Sequence, residues 1–117
     1  MFEIHISILY FYNMKMQEKY KLDKKMKKRC GAVSKVLKAL AHPQRLLILC
    51  TLAAGARTVG EIEDACQASQ SLVSQFINRM RLQGLITSEK RGLYVYCKIA
   101  DPKLKRLIES LYTIYCD

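Results

Sequence analysis

At 117 residues, half of them apolar, the chain is long enough for one domain with a modest core and too short for two. Twenty Lys and Arg against ten Asp and Glu leave a formal net charge of +10, which suits a polyanionic partner, nucleic acid first and an acidic membrane surface second. Five cysteines, at 30, 50, 66, 97 and 116, form no C-x-x-C pair and no regular spacing, which argues against a secreted disulfide framework and for a reducing cytoplasm.

The opening MFEIHISILYFYNMKM is apolar and aromatic, yet it lacks a basic start and is too short to span a bilayer. It is read as neither a signal nor a membrane anchor. Residues 1–17 are set apart as a leader, either a product of start-site choice, with Met14 or Met16 as the start, or a docked segment; the domain occupies 18–117.

From Lys19 to Arg29, KYKLDKKMKKR is a cationic run of the kind that forms a solvated face. Beneath it Leu22, Met26, Cys30, Val33, Leu37 and Leu40 recur at steps of four and three. That spacing predicts one face of a helix running to about Ala41, a face that needs the core or a second subunit to cover it. His42-Pro43 interrupts the helix, because proline disfavours helix at the residue before it and fits a first turn. The nearly continuous apolar run Leu46 to Leu52 then predicts a centrally buried helix, stopping around Ala53-Ala54-Gly55.

In TVGEIEDACQ, Thr58 is placed to cap a third helix and Glu61 to complete a capping box, with Val59, Ile62 and Cys66 facing inward. After a break at Gln67-Ala68, Ser69 caps a helix through about Gln83, with Gly84 as its stop. Its inward stripe is Leu72, Val73, Phe76, Ile77 and Met80. The opposite face carries Gln70, Ser71, Ser74, Gln75 and Asn78, short or medium polar groups in place of the Glu and Lys of an ordinary solvated helix.

ITSE, the turn KRG and LYVYCKI read as two short strands in a tight hairpin with Lys90 and Arg91 at its tip. Asp101-Pro102 opens a last helix whose apolar positions are Leu104, Leu107, Ile108, Leu111, Tyr112 and Tyr115. The order of elements predicts a mainly α fold with a small β-hairpin, a winged helix–turn–helix flanked by helices.

A helix that reads DNA buries one side and offers the other to base edges, where Gln and Asn pair with adenine and Ser bonds several bases. Gln70, Ser71, Ser74, Gln75 and Asn78 meet that need. Lys90 and Arg91 suit phosphate or the minor groove, with Arg79 and Arg81 as further backbone contacts. The alternative is a solvated polar face beside a charged turn; the order of the elements favours DNA.

KALAHPQRLLIL, TVGEIEDACQASQSLVSQFINRMRLQGLI and RGLYVYCKI, spanning about Val33 to Cys116, resemble the ArsR/SmtB family of dimeric bacterial repressors. The resemblance implies a homodimer, held by the first and last helices, that binds an inverted-repeat operator in double-stranded DNA. Many such proteins sense metals, but the residues depart from both familiar arrangements. Thr58-Val59-Gly60 stands where a C-V-C motif supplies thiolates, and Asp101 is followed by no histidine. Of the two histidines, His5 lies in the leader and His42 suits a loop or cap, so neither metal nor cofactor is assigned.

Cys30, Cys66 and Cys97 continue apolar stripes and are read as packing residues, free cysteine behaving as a small hydrophobe. Cys97 is placed on the same strand side as Leu93, Val95 and Ile99. R-L-x-x-L-C ending at Cys50, with L-Y-x-x-Y-C ending at Cys116, resembles the persulfide- and polysulfide-responsive subgroup of BigR/SqrR-like repressors, an arrangement that HlyU-like regulators share. This implies that reactive sulfur links Cys50 to Cys116 and releases a repressor from DNA. A disulfide and a longer sulfur bridge both remain open, as do a metal- or metalloid-responsive repressor and an HlyU-like activator or anti-silencer. A thiol enzyme is disfavoured, since no C-x-x-C and no acid–base set accompany the cysteines.

Overall fold

The computed structural model describes residues 16–116. Two compact units divide the chain after Lys35. The readings made for the leader, including His5, Met14 and the docked segment, lie outside the described residues. The helix α1, Met16–Leu40, supplies the described part of the first unit, and its residues from Val36 onward belong to the second. From Asp23 to Lys35 its side chains are exposed, including Met26, Cys30 and Val33. Cys30, expected as a packing residue, is therefore uncovered within one chain. Farther along, Leu37 is also exposed, whereas Ala39 and Leu40 enter the core.

In the second unit, α2 (Pro43–Ala53) begins as expected at Pro43. His42 is its N-cap: the ring Nδ1 accepts from the Gln44 N–H at 3.1 Å, supplying an acceptor to a donor that the first turn leaves unpaired. Ile48, Leu49 and Leu52 are buried. Leu47, inside the run expected to be central, is exposed, because at 3.6 residues per turn this helix meets the core on one side.

The helix α3 (Val59–Cys66) carries the full capping box, with the Thr58 Oγ1 accepting from the Glu61 N–H and the Glu61 carboxylate accepting from the Thr58 N–H, both at 3.1 Å. Those bonds hold the Glu61 carboxyl below its ordinary range. The turn to α4 (Gln70–Leu82) passes through Gln67, the one non-glycine residue with positive φ among those described, at 48°. Its N–H is shared between the Asp64 and Glu63 carbonyls, closing α3. Ser69 then caps α4 by accepting from the Leu72 N–H at 3.2 Å.

The wing is β2 (Ile86–Arg91) paired antiparallel with β3 (Tyr94–Ile99), running from Ile86 opposite Ile99 to Arg91 opposite Tyr94. The turn is Gly92-Leu93, not KRG. Gly92 has φ 61°, and a glycine with positive φ before a residue with negative φ marks the two-residue II′ turn that matches strand twist. Lys90 and Arg91 are consequently ladder residues, and Leu93 has left the strand side it was expected to share with Cys97. A third strand, β1 (Arg57–Thr58), was not foreseen; it pairs with Cys97 and Tyr96, giving the order β1-β3-β2.

The last helix, α5 (Pro102–Cys116), starts where Asp101 accepts the Lys103 N–H at 2.8 Å. It inserts Leu104 and Ile108 into a core built from Ile48, Leu49, Leu52, Ile62, Val73, Ile77, Met80 and Ile86. Cys66 and Cys97 are buried in that core, as expected. Tyr112, Ile114 and Tyr115 are exposed, so the final two turns of α5 carry an apolar face that this chain does not cover. No single described helix is long and apolar enough to cross a membrane.

Candidate nucleic-acid interface and thiol pair

The inner side of α4 buries Val73, Ile77 and Met80, with Phe76 half-buried beside them. This fixes the opposite side outward. Gln70, Ser71, Gln75 and Asn78 are exposed and Ser74 is half-buried, so the polar set foreseen from the sequence does share one face. Leu72, expected inside, is exposed at the border of that stripe. The Asn78 Oδ1 accepts from the Arg81 guanidinium at 2.9 Å, which aims Arg81 along the same face. Arg79 lies about 100° farther round than Asn78, since successive helical residues are about 100° apart. The two arginines thus part company. Leu82, 86% exposed, falls on the polar side near Gln75; an isolated leucine at a helix end carries no polar signal by which sequence reasoning could have found it.

Lys90 and Arg91 also separate, because neighbours along a strand point to opposite faces. Arg91 shares its face with Glu89, Tyr94 and Tyr96: its guanidinium meets the Glu89 carboxylate at 3.1 Å and lies 5.1 Å from the Tyr96 ring centroid. Both ion-pair partners are mostly exposed, so the pair itself is worth about 0–1 kcal/mol. Lys90 is opposite Val95, on the side that carries Ser88 and Cys97 deeper in the sheet. The Ser88 hydroxyl and the Cys97 thiol are 3.6 Å apart, and burial pushes the Cys97 thiol up.

Cys50 and Cys116 come from α2 and α5, which pack together. All five described cysteines are free thiols; Cys50 is half-buried and Cys116 exposed. Burial, reinforced by the negative charge of a nearby Cys116 thiolate, pushes the Cys50 thiol above its ordinary value. An open cavity of about 450 Å³ adjoins Cys50, walled by Ala53, Ala54, Ile108, Glu109, Tyr112 and Thr113. Among the described residues, no three His, Cys, Asp or Glu side chains gather as a metal-binding group.

A capped helix–turn–helix whose second helix turns a polar face outward, joined to a β-hairpin wing, is the architecture of a DNA-binding transcriptional regulator. Residues 42–88 match the family model described as bacterial regulatory protein, arsR family. The chain is 40% identical over 91 residues to the biofilm growth-associated repressor of Agrobacterium fabrum (strain C58), covering 78% of each. It is 34% identical over 91 residues to the transcriptional activator HlyU of Vibrio cholerae, covering 78% of this chain and 84% of that one. The crystal structure of the transcriptional repressor BigR from Xylella fastidiosa superposes with a TM-score of 0.76 at 33% identity, over 80% of this chain and 96% of that one. The protein belongs to the ArsR family.

Proposed function

We propose that the protein is a homodimeric repressor that binds an inverted-repeat operator and is released when reactive sulfur bridges Cys50 to Cys116. The observation that carries this reading is the placement of the two thiols on packed helices, Cys50 half-buried in α2 against an open cavity and Cys116 exposed at the end of α5. Cys116 is the exposed thiol, so attack begins there. Its thiolate attacks a polysulfide sulfur, one S–S bond breaks and the shorter sulfide leaves. The Cys50 thiolate then attacks the Cys116 sulfur, expels hydrosulfide and closes the disulfide. Two thiols give up two protons and two electrons, and the polysulfide S–S bond takes the electrons. A longer bridge takes further oxidising equivalents from polysulfide.

Dimerisation is supported by the exposed Met26, Val33 and Leu37 on α1 and, separately, by the exposed Tyr112, Ile114 and Tyr115 on α5. DNA reading is assigned to Gln70, Ser71, Ser74, Gln75 and Asn78. Lys90, Arg91, Arg79 and Arg81 serve backbone or groove contacts. A bridge between α2 and α5 ties the reading head to the dimer scaffold and changes the separation of two recognition helices, which half-sites about one helical turn apart tolerate poorly. The test is peptide mapping by mass spectrometry after polysulfide treatment, with duplex binding measured on the same samples. A selective Cys50–Cys116 bridge that lowers affinity supports the proposal; unmodified cysteines with unchanged binding overturn it. The similarity to HlyU favours one second reading, an activator with the same DNA-reading face, which a promoter-reporter assay in a deletion strain separates by the sign of the response.

A further inference from the structure

Leu93 is 94% exposed at the outermost position of the wing, where turns ordinarily place polar residues. Two six-residue strands carry it about 20 Å from the base of the hairpin, at roughly 3.4 Å per residue. The apolar character continues into Tyr94 and Val95, 61% and 40% exposed. Two cations stand behind it in the ladder: Arg91 in the pair that closes the turn, beside Glu89 and the Tyr96 ring, and Lys90 one pair farther back. A leucine held forward of Lys90 and Arg91 is unsuited to binding phosphate. It suits the inside of a groove whose phosphates Lys90 meets at the rim.

We infer that Leu93 is the wing's apolar contact in the minor groove beside each half-site, and that it favours A·T over G·C pairs there. The inference rests on the DNA-binding reading. In the minor groove A·T pairs present only acceptors, whereas G·C adds the guanine 2-amino donor. A leucine gains by leaving water for the apolar sugar walls over either pair and covers the acceptors of both, but over G·C it also leaves the 2-amino donor without a partner, which costs further binding. Apolar side chains of this size are used in minor grooves by other protein classes. Leu93 thereby adds preference without a hydrogen bond.

The experiment first selects duplexes from a random pool with the full-length protein, then titrates it against the enriched duplex carrying A·T, G·C or inosine·C pairs at the wing positions. Inosine·C keeps the pair but removes the 2-amino group. Wild type is expected to bind A·T and inosine·C alike, and both more tightly than G·C. Leu93→Ala is expected to weaken A·T and inosine·C binding roughly fivefold, to change G·C binding little, and to leave the salt dependence intact, since an apolar contact releases no counterion. Lys90→Ala should instead lower the salt slope by about 1. Equal affinities of Leu93→Ala and wild type on all three duplexes, or an equal loss on all three, would overturn the inference. Gln75→Ala separates the two levels: weakened Gln75→Ala beside unaffected Leu93→Ala removes the wing contact alone, and failure to enrich any duplex removes the DNA reading with it.

Discussion

His42 and Phe76 hold their rings 4.9 Å apart at a 52° tilt, joining the start of α2 to the middle of α4. Because α2 is about 16 Å long at 1.5 Å per residue and carries Cys50 in its last turn, this contact is the route by which a displacement at the thiol would reach the reading helix. His42→Asn keeps a capping acceptor and removes the ring; His42→Ala removes both. Chemical denaturation should show a loss of about 1 kcal/mol more for the alanine variant. Titration of reduced and bridged protein should show His42→Asn binding duplex normally when reduced while losing much of the sulfur-dependent drop in affinity. A drop of wild-type size would mean that α2 does not carry the signal to α4.

The raised Cys50 thiol makes a prediction about pH. Its thiolate fraction is small at neutrality, so iodoacetamide should label Cys50 with a rate midpoint above the ordinary thiol value. Burial is the larger cause and Cys116 the smaller, so Cys116→Ser should move the midpoint down without returning it fully. The thiols of Cys50, Cys66 and Cys97 are all raised by folding, chiefly by burial. Their contribution to stability is complete below the unfolded thiol pKa and is lost as pH rises through the folded values. The midpoint of urea unfolding should therefore fall on alkalinisation, and less steeply in Cys97→Ala than in wild type when each is compared with itself at neutral pH.

Gln75 and Asn78 share a face but not a state, since Asn78 is already bonded to Arg81. Gln75→Ala should cost about 1–3 kcal/mol of specific binding if it pairs with a base. Asn78→Ala releases the Arg81 guanidinium, so its signature should include a changed salt slope. Competition titrations with the selected duplex and a scrambled one read both effects, and an unchanged ratio for Gln75→Ala would take that residue off the reading face.

Gln67 is held at φ 48°, a conformation that L side chains enter at a cost. Gln67→Gly should remove that cost and stabilise the fold by about 0.5–1 kcal/mol after the glycine's own entropy loss. Thermal unfolding checks the sign. A lower melting temperature would show that the Gln67 side chain contributes more than its backbone strain costs.

Leu37 is 51% exposed on α1. If a second copy covers it, Leu37→Glu buries a charge in the interface, and sedimentation at micromolar concentration should shift from dimer to monomer with helix content retained. A dimer that persists in Leu37→Glu at wild-type strength would place the interface elsewhere.

Much of this was legible in the chain because the signals are local. Thr58 with Glu61, Ser69 with its polar stripe, and Asp101 before Pro102 each announce a helix start by chemistry that acts across three residues, and each cap is present. The family likeness was legible too, in the stretch from Thr58 to Ile86. What escaped was set by partners far away in sequence. β1 is two residues long, too short for alternation, and exists only because β3 lies beside it. The wing's tip shifted by two residues since K-R-G and G-L both read as turns until the ladder from Ile86 to Arg91 fixes the register. Leu47 and Leu72 looked buried because composition reports how apolar a helix is, not how much of its circumference finds a neighbour. Cys30 looked packed for the same reason.

Thr58 belongs to two elements at once: it closes β1 against Tyr96 and caps α3 through its hydroxyl. The hairpin and the helix–turn–helix are therefore joined through Thr58 as well as through the direct run from α4 into β2. On the proposed reading the molecule would measure DNA with two rulers. The spacing from α4 to the wing is set within one chain, while the spacing between half-sites would be set where two copies meet. On the proposed operator, one base pair inserted inside a half-site and one inserted at its centre should each cost specific binding, the first by parting the wing from α4 and the second by parting the two copies.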